Sequence, residues 1–126
     1  MWTSGCSASS NSDLVHNLKS AGFITTKLVE DAMLQTDRKF YVPLIKKTEK
    51  ISSSYQYGPY ADAPQALGFK VTVSAPYIHA TVLEVLSDKI TKEGSRVLDV
   101  GSGSGILLGI KLLTCYYIDF VFALSL

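Results

Sequence analysis

The sequence is short of the residues that most often announce a chemistry. Its two cysteines, Cys6 and Cys115, form no C-x-x-C pair, and its two histidines, His16 and His79, stand alone. Neither a metal nor a disulfide framework is supported, and two reduced thiols in a cytoplasmic protein are the expectation. No sign of charge dominates: twelve Lys and Arg face eleven Asp and Glu, for a net charge of +1 with no basic stripe. Composition thus gives no argument for a nucleic-acid partner. The first dozen residues, Met1 to Ser12, lack the basic start and apolar run of a secretory signal, and Trp2 directly after Met1 excludes the myristoylation pattern. What remains, 126 residues at 47% hydrophobic and 18% charged, is the composition of an ordinary globular protein of one domain at most.

Ser12 is a plausible cap for a first helix burying Leu14, Val15 and Leu18, with Gly22 as its stop. Thr26 caps a second helix, in which Leu28, Val29, Ala32 and Met33 share one face before the polar end Gln35-Thr36-Asp37-Arg38. Two short helices in tandem predict an N-terminal helical region. From Pro43 to Tyr60 periodicity is lost, through a charge run at Lys46 to Lys50, three serines and three tyrosines, which predicts a surface loop without an assigned role. Gly68 to Val73 alternates and reads as a short extended segment. Pro76 then fits the first turn of a helix from about Tyr77 to Ile90, with Ser74 or Ala75 as cap. Its stripe Ile78, Val82, Leu83, Val85, Leu86 and Ile90 is expected to pack on a sheet.

That sheet would begin at Arg96 to Val100, a short β-branched run that suits a buried parallel strand. The strand breaks at Asp99-Val100-Gly101-Ser102-Gly103-Ser104-Gly105, where three glycines at alternate positions allow sharp bends and close approach to a ligand. A helix opening near Gly105 would aim its free N–H groups at that ligand. The third glycine of a dinucleotide fingerprint would fall at position 106, which is Ile106, and this weakens a nicotinamide reading. The alternative is a glycine turn with no ligand.

Three ordered blocks carry a resemblance. Asp62 to Phe69, Thr72 to Ala80 and Leu98 to Gly105 resemble the protein-L-isoaspartate O-methyltransferases, and Leu14 to Leu18 and Ala32 to Arg38 sit where that family has its N-terminal helices. The likeness covers roughly residues 12 to 107. It implies an α/β, Rossmann-like methyltransferase fold with an N-terminal helical cap. It implies S-adenosyl-L-methionine as methyl donor with no metal, and isoaspartyl proteins and peptides as substrates. Ser74 would be the active-site serine, Val71, Thr72, Val73 and Ser74 part of the pocket wall, and His79 and Ser104 contacts to the cofactor. Asp99, Gly101, Gly103 and Gly105 would shape the loop beneath the methionine moiety. Tyr77 departs from the histidine common in eukaryotic members, and the stretch around Thr48 looks like an insertion.

The resemblance divides the chain into a helical region with surface loop at 1–60, the start of the methyltransferase domain at 61–108, and a divergent apolar tail at 109–126. Three explanations of the tail stand: a truncated or mis-spliced product, a short second strand, or a membrane segment. The last is disfavoured, since Lys111 and Asp119 would each cost about 2.5–3.5 kcal/mol near a bilayer centre. Asp119 lies about 20 residues past the start of the glycine loop, where a ribose-binding acid could fall, but the apolar run continues past it where a ligand loop should begin, which argues against that role. With so few strands the α/β unit is expected to be incomplete, its exposed edge favouring self-association over the monomer usual in the family. An inactive fragment is the alternative to the enzyme.

Overall fold

The computed structural model describes residues 5–43, 58–68, 71–114 and 118–124. Helix α1 (Asn11–Ser20) starts two residues before the expected point, because Ser10 rather than Ser12 caps it, accepting from the Asp13 N–H at 3.1 Å. It closes when the N–H groups of Gly22 and Phe23 bond the carbonyls of Lys19 and Leu18, a pairing that satisfies the orphan carbonyls of the last turn. Helix α2 (Lys27–Gln35) is capped by Thr26 as expected. It buries Val29, Ala32 and Met33, whereas Leu28 is exposed.

Helix α2 receives further support from a distance. Glu84, on helix α3 (Pro76–Ile90), accepts from the backbone N–H groups of Thr25 and Thr26 at 2.8 and 2.9 Å and from both hydroxyls. Burial pushes the Glu84 carboxyl up, but these donors outweigh it and hold it below the usual glutamate value. Glu84→Gln is therefore expected to lose about 0.5–2 kcal/mol at neutral pH, as for a lost helix cap. Because the folded pKa is depressed, the stabilisation is complete above the ordinary glutamate value and fades as pH falls through the folded one. Urea unfolding at neutral and acidic pH should show the two chains converging in acid.

The extended segment divides into a hairpin. Strand β1 (Gln65–Gly68) pairs antiparallel with β2 (Val71–Val73), so the alternation expected to run straight from Gly68 to Val73 is broken by a reversal. Strand β3 (Ser95–Val100) follows α3, and the glycine loop leads into helix α4 (Ile106–Thr114). Strand β4 (Ile118–Leu124) returns to pair parallel with β3, from Ser95 opposite Ile118 to Val100 opposite Leu124. The apolar tail thus completes a helix and builds a second strand, a β-α-β unit. Among the described residues no helix is long and apolar enough to cross a membrane.

The main core joins the N-terminal helices to this unit: Leu14, Leu18, Val29 and Met33 cluster with Ala80, Leu83, Ile90, Ile106 and Ile110. Helix α3 therefore turns its most buried side chains toward α2 as well as the sheet, and the expected stripe is corrected. Val85 is 72% exposed and Ile78 39% exposed. Strand β3 is likewise not buried on both faces. Leu98 and Val100 point outward at 61% and 57% exposure, because among the described residues nothing covers that face.

Candidate active site

The carboxyl end of β3 is where the sequence turns from strand to loop, and three left-handed residues make that turn. Gly101, Gly103 and Gly105 have φ of 76°, 55° and 77°, values that a side chain bearing Cβ adopts only with strain. At Gly103 the loop lies close to the hairpin, where an added Cβ would stand 3.5 Å from Leu67 and 3.7 Å from the Thr72 carbonyl. Helix α4 opens directly after it at Ile106, which leaves the first N–H groups of that helix beside the loop.

Between loop, hairpin and α3 lies a cleft of about 220 Å³. Thr72, Val73, Ser74, His79, Asp99, Gly101, Gly103 and Ser104 line it, so two blocks separated in sequence meet at one surface. Val71 and Gly105 are not in its lining: Val71 begins β2 and Gly105 ends the loop. Ile78, Val82, Ser102, Ile106 and Leu107 complete the wall. Sequence reasoning missed these five, although Ser102 lies inside the glycine motif and Ile78 and Val82 sit one helical turn apart. The volume is below the roughly 300–1,000 Å³ of complete small-molecule pockets.

Two polar atoms in this wall have their hydrogen-bonding capacity unspent. Asp99 Oδ2 and Ser104 Oγ are buried and have no hydrogen-bond partner. Such atoms cost about 1–3 kcal/mol each unless something pairs with them. A carboxylate oxygen and a hydroxyl, beside free helix N–H groups, suit a ligand end that carries both an ammonium and a carboxylate, as an amino acid does.

Ser74 is exposed, and it is not the helix cap. Ala75 occupies the cap position without a side-chain bond, and the Tyr77 N–H is satisfied instead by Asp62 Oδ1 at 2.9 Å. Burial, the larger influence, pushes the Asp62 carboxyl up, while the Tyr77 N–H and Arg38 oppose it. Behind Ser74 sits Arg38, read from sequence as the polar end of a helix and found only 3% exposed. Its Nη2 donates to the Ser74 carbonyl at 2.9 Å and its Nη1 lies 3.4 Å from His79 Nδ1. Burial lowers the Arg38 pKa to about 10 against the pull of Asp62, so the guanidinium stays cationic at neutral pH. Burial first, and Arg38 second, lower His79 to about 4. The ring in the cleft wall is therefore neutral. Nothing in the sequence around Asp37-Arg38 marks a buried cation; only its place in a resembling block could have drawn notice.

Asp119 is not near this surface. The pairing is parallel, so the end of β4 that neighbours the loop is Leu124, five residues on, or about 16 Å at roughly 3.3 Å per residue. A ribose-binding acid belongs at the carboxyl end of the second strand. Asp119 lies near the opposite end, in keeping with the sequence argument against a ribose role.

Residues 9–113 match the family model described as protein-L-isoaspartate(D-aspartate) O-methyltransferase. The chain belongs to this family. It is 42% identical over 106 residues to protein-L-isoaspartate O-methyltransferase 2 of Arabidopsis thaliana, covering 84% of this chain and 30% of that protein. It is 40% identical to the Triticum aestivum protein-L-isoaspartate O-methyltransferase, covering 84% of this chain and 40% of the relative. A solved Plasmodium falciparum structure, described as a protein-L-isoaspartate O-methyltransferase in complex with S-adenosyl-L-homocysteine, superposes with a TM-score of 0.71 at 33% identity. That superposition covers 94% of this chain and 50% of the other. The fold is the methyltransferase Rossmann-like α/β fold, represented here by its first part.

Proposed function

We propose that this chain supplies the methyl-donor cleft and substrate-facing serine of a protein-L-isoaspartate O-methyltransferase, which esterifies the α-carboxylate of isoaspartyl residues in damaged proteins. The observation that carries this is the meeting of Thr72 to Ser74, His79 and the glycine loop around one cleft with two unpaired buried oxygens. The methionine end of S-adenosyl-L-methionine has the ammonium and carboxylate that this wall suits. In this assignment Asp99, Ser104 and the Gly101 to Gly105 loop hold that end, Thr72 and Val73 form the wall opposite, and His79 offers a neutral polar contact.

When bound, S-adenosylmethionine would supply a sulfonium methyl to an ionised carboxylate oxygen in line, the C–S bond breaking as the O–C bond forms and S-adenosylhomocysteine leaving as a neutral thioether. The substrate carboxylate is already ionised at neutral pH, so the chain needs no strong base. Its residues align the reactants, a contribution of up to about 7–11 kcal/mol in well-oriented systems. Ser74 offers an exposed hydroxyl that can donate to the carboxylate without adding charge. The Tyr77 N–H is already taken by Asp62 and is not open to the substrate.

The chain spans 30% and 40% of the two plant relatives, and the small cleft agrees with a site completed by further strands. We place residues 1–60 as the N-terminal region carrying the helical cap, the expected surface loop lying largely at 44–57, outside the described residues, with 61–108 as the start of the methyltransferase domain and 109–126 as its continuation through α4 and β4. The 126 residues alone should not turn over substrate, and should bind the donor weakly or not at all. The outward Val85, Leu98 and Val100 favour self-association of the isolated chain. The buried Cys6 thiol, which donates to the Asn17 carbonyl at 3.7 Å, suits a cytoplasmic setting. To test the function, this chain can be joined to the C-terminal part of the wheat relative and offered labelled S-adenosylmethionine with matched isoaspartyl and aspartyl peptides. Methylation of the isoaspartyl peptide alone is expected; equal incorporation into both would refute the assignment.

A further inference from the structure

One buried cation touches two residues of the cleft wall that lie five positions apart, and its chemistry restricts what the second of them can be. A guanidinium carries N–H donors only and has no acceptor. Arg38 Nη1, 3.4 Å from His79 Nδ1, can thus make a hydrogen bond only if that nitrogen presents its lone pair. A neutral imidazole with an unprotonated Nδ1 must carry its proton on Nε2.

We propose that Arg38 is a positioning residue of the methyl-donor site: it holds the Ser74 carbonyl and locks His79 as a neutral ring whose proton is on Nε2, a fixed hydrogen-bond donor for the cleft. Among the described residues nothing hydrogen-bonds Nε2, while the ring lines the cleft. That donor is available to an acceptor on a bound molecule, such as a carboxylate or hydroxyl oxygen. Arg38 is suited to the task because its planar fork can address two acceptors at once. Its Nη2 bond to Ser74 fixes the backbone just ahead of α3, while the Nη1 contact fixes a ring on the first turn of that helix.

The guanidinium is supplied by the 3₁₀ turn Arg38–Phe40, directly after α2. The N-terminal helical region therefore contributes to the chemistry of the cleft as well as to its packing. The charged groups around the ring are Arg38 itself, Asp62 coupled to Arg38, and Asp99 in the wall of the same cleft. The cation dominates, and it disfavours a second proton on the imidazole.

The proposal rests on reading the cleft as the donor site, but its test needs no donor, so the two can fail separately. The chain has two histidines, and His16 is exposed, which makes it an internal control. Ring ¹⁵N spectra of the histidine-labelled 126-residue chain should show His79 with an unprotonated Nδ1 and a protonated Nε2, unchanged between pH 5.5 and 8. In Arg38→Met the His79 ring should show a mixture of tautomers. Arg38→Met should also lose the downfield component of the Ser74 carbonyl shift that a charged donor causes. A wild-type His79 that is protonated on Nδ1, or cationic at neutral pH, overturns the proposal. So does an unchanged tautomer in folded Arg38→Met. The wild-type spectrum decides even where that variant does not fold.

Discussion

Asp99→Asn and Ser104→Ala, made in the chain joined to the C-terminal part of a relative, are expected to weaken S-adenosylmethionine binding by roughly 10- to 150-fold and 5- to 10-fold while leaving stability equal or higher. Most losses of a buried hydrogen-bonding group destabilise because a partner is abandoned. Here Asp99 Oδ2 and Ser104 Oγ have no partner to abandon. Removing the Ser104 hydroxyl relieves a desolvation cost of about 1–3 kcal/mol. The binding losses correspond to about 1.5–3 kcal/mol for a hydrogen bond to a charged group and about 1–1.4 kcal/mol for a neutral one. Calorimetric titration beside urea unfolding separates the two effects. Unchanged affinity with reduced stability would make both residues structural and leave the cleft without its anchor.

The second large effect is expected in the core. Leu83→Ala should cost about 2–5 kcal/mol, against a total stability that is typically about 5–15 kcal/mol for a domain. Leu83 has no exposed surface and sits in the cluster that joins α3 to the N-terminal helices. Since α3 also carries His79, loosening it disturbs the cleft. Val85→Ala, on the same helix at 72% exposure, should change stability by less than about 0.5 kcal/mol. Thermal unfolding of both variants checks this, and similar losses at the two positions would show that the outward face of α3 is covered after all.

Those two positions also show where the sequence ceased to be legible. Leu83 and Val85 are equally apolar and fall on the same expected stripe, because periodicity tells which residues want burial and not which elements arrive to bury them. The outward Leu98 and Val100 of β3 repeat the point, since a doubly wound sheet has helices on both faces and only one face is covered among the described residues. Where a local conformation has one chemical solution, the reading was sound. Three alternating glycines required left-handed backbone and have it; Thr26 caps α2; Pro76 opens α3. Long-range substitutions of one residue for another were invisible. Asp62 satisfies the helix N–H for which Ser74 was a candidate, and Arg38 leaves the solvated end of a helix for the back of the cleft. The tail was hard to read for a related reason: a strand such as β4 is nearly continuous apolar sequence, and so is a membrane segment.

The claim on which the rest depends is that the cleft between the glycine loop, β2 and α3 holds the methyl donor. Backbone amide NMR of the joined protein, titrated with S-adenosylmethionine, addresses it residue by residue. The account predicts saturable shift changes at Thr72 to Ser74, at His79 and from Gly101 to Leu107, with none on the outward side of α1. Binding that left those amides unmoved and perturbed other surfaces would contradict it.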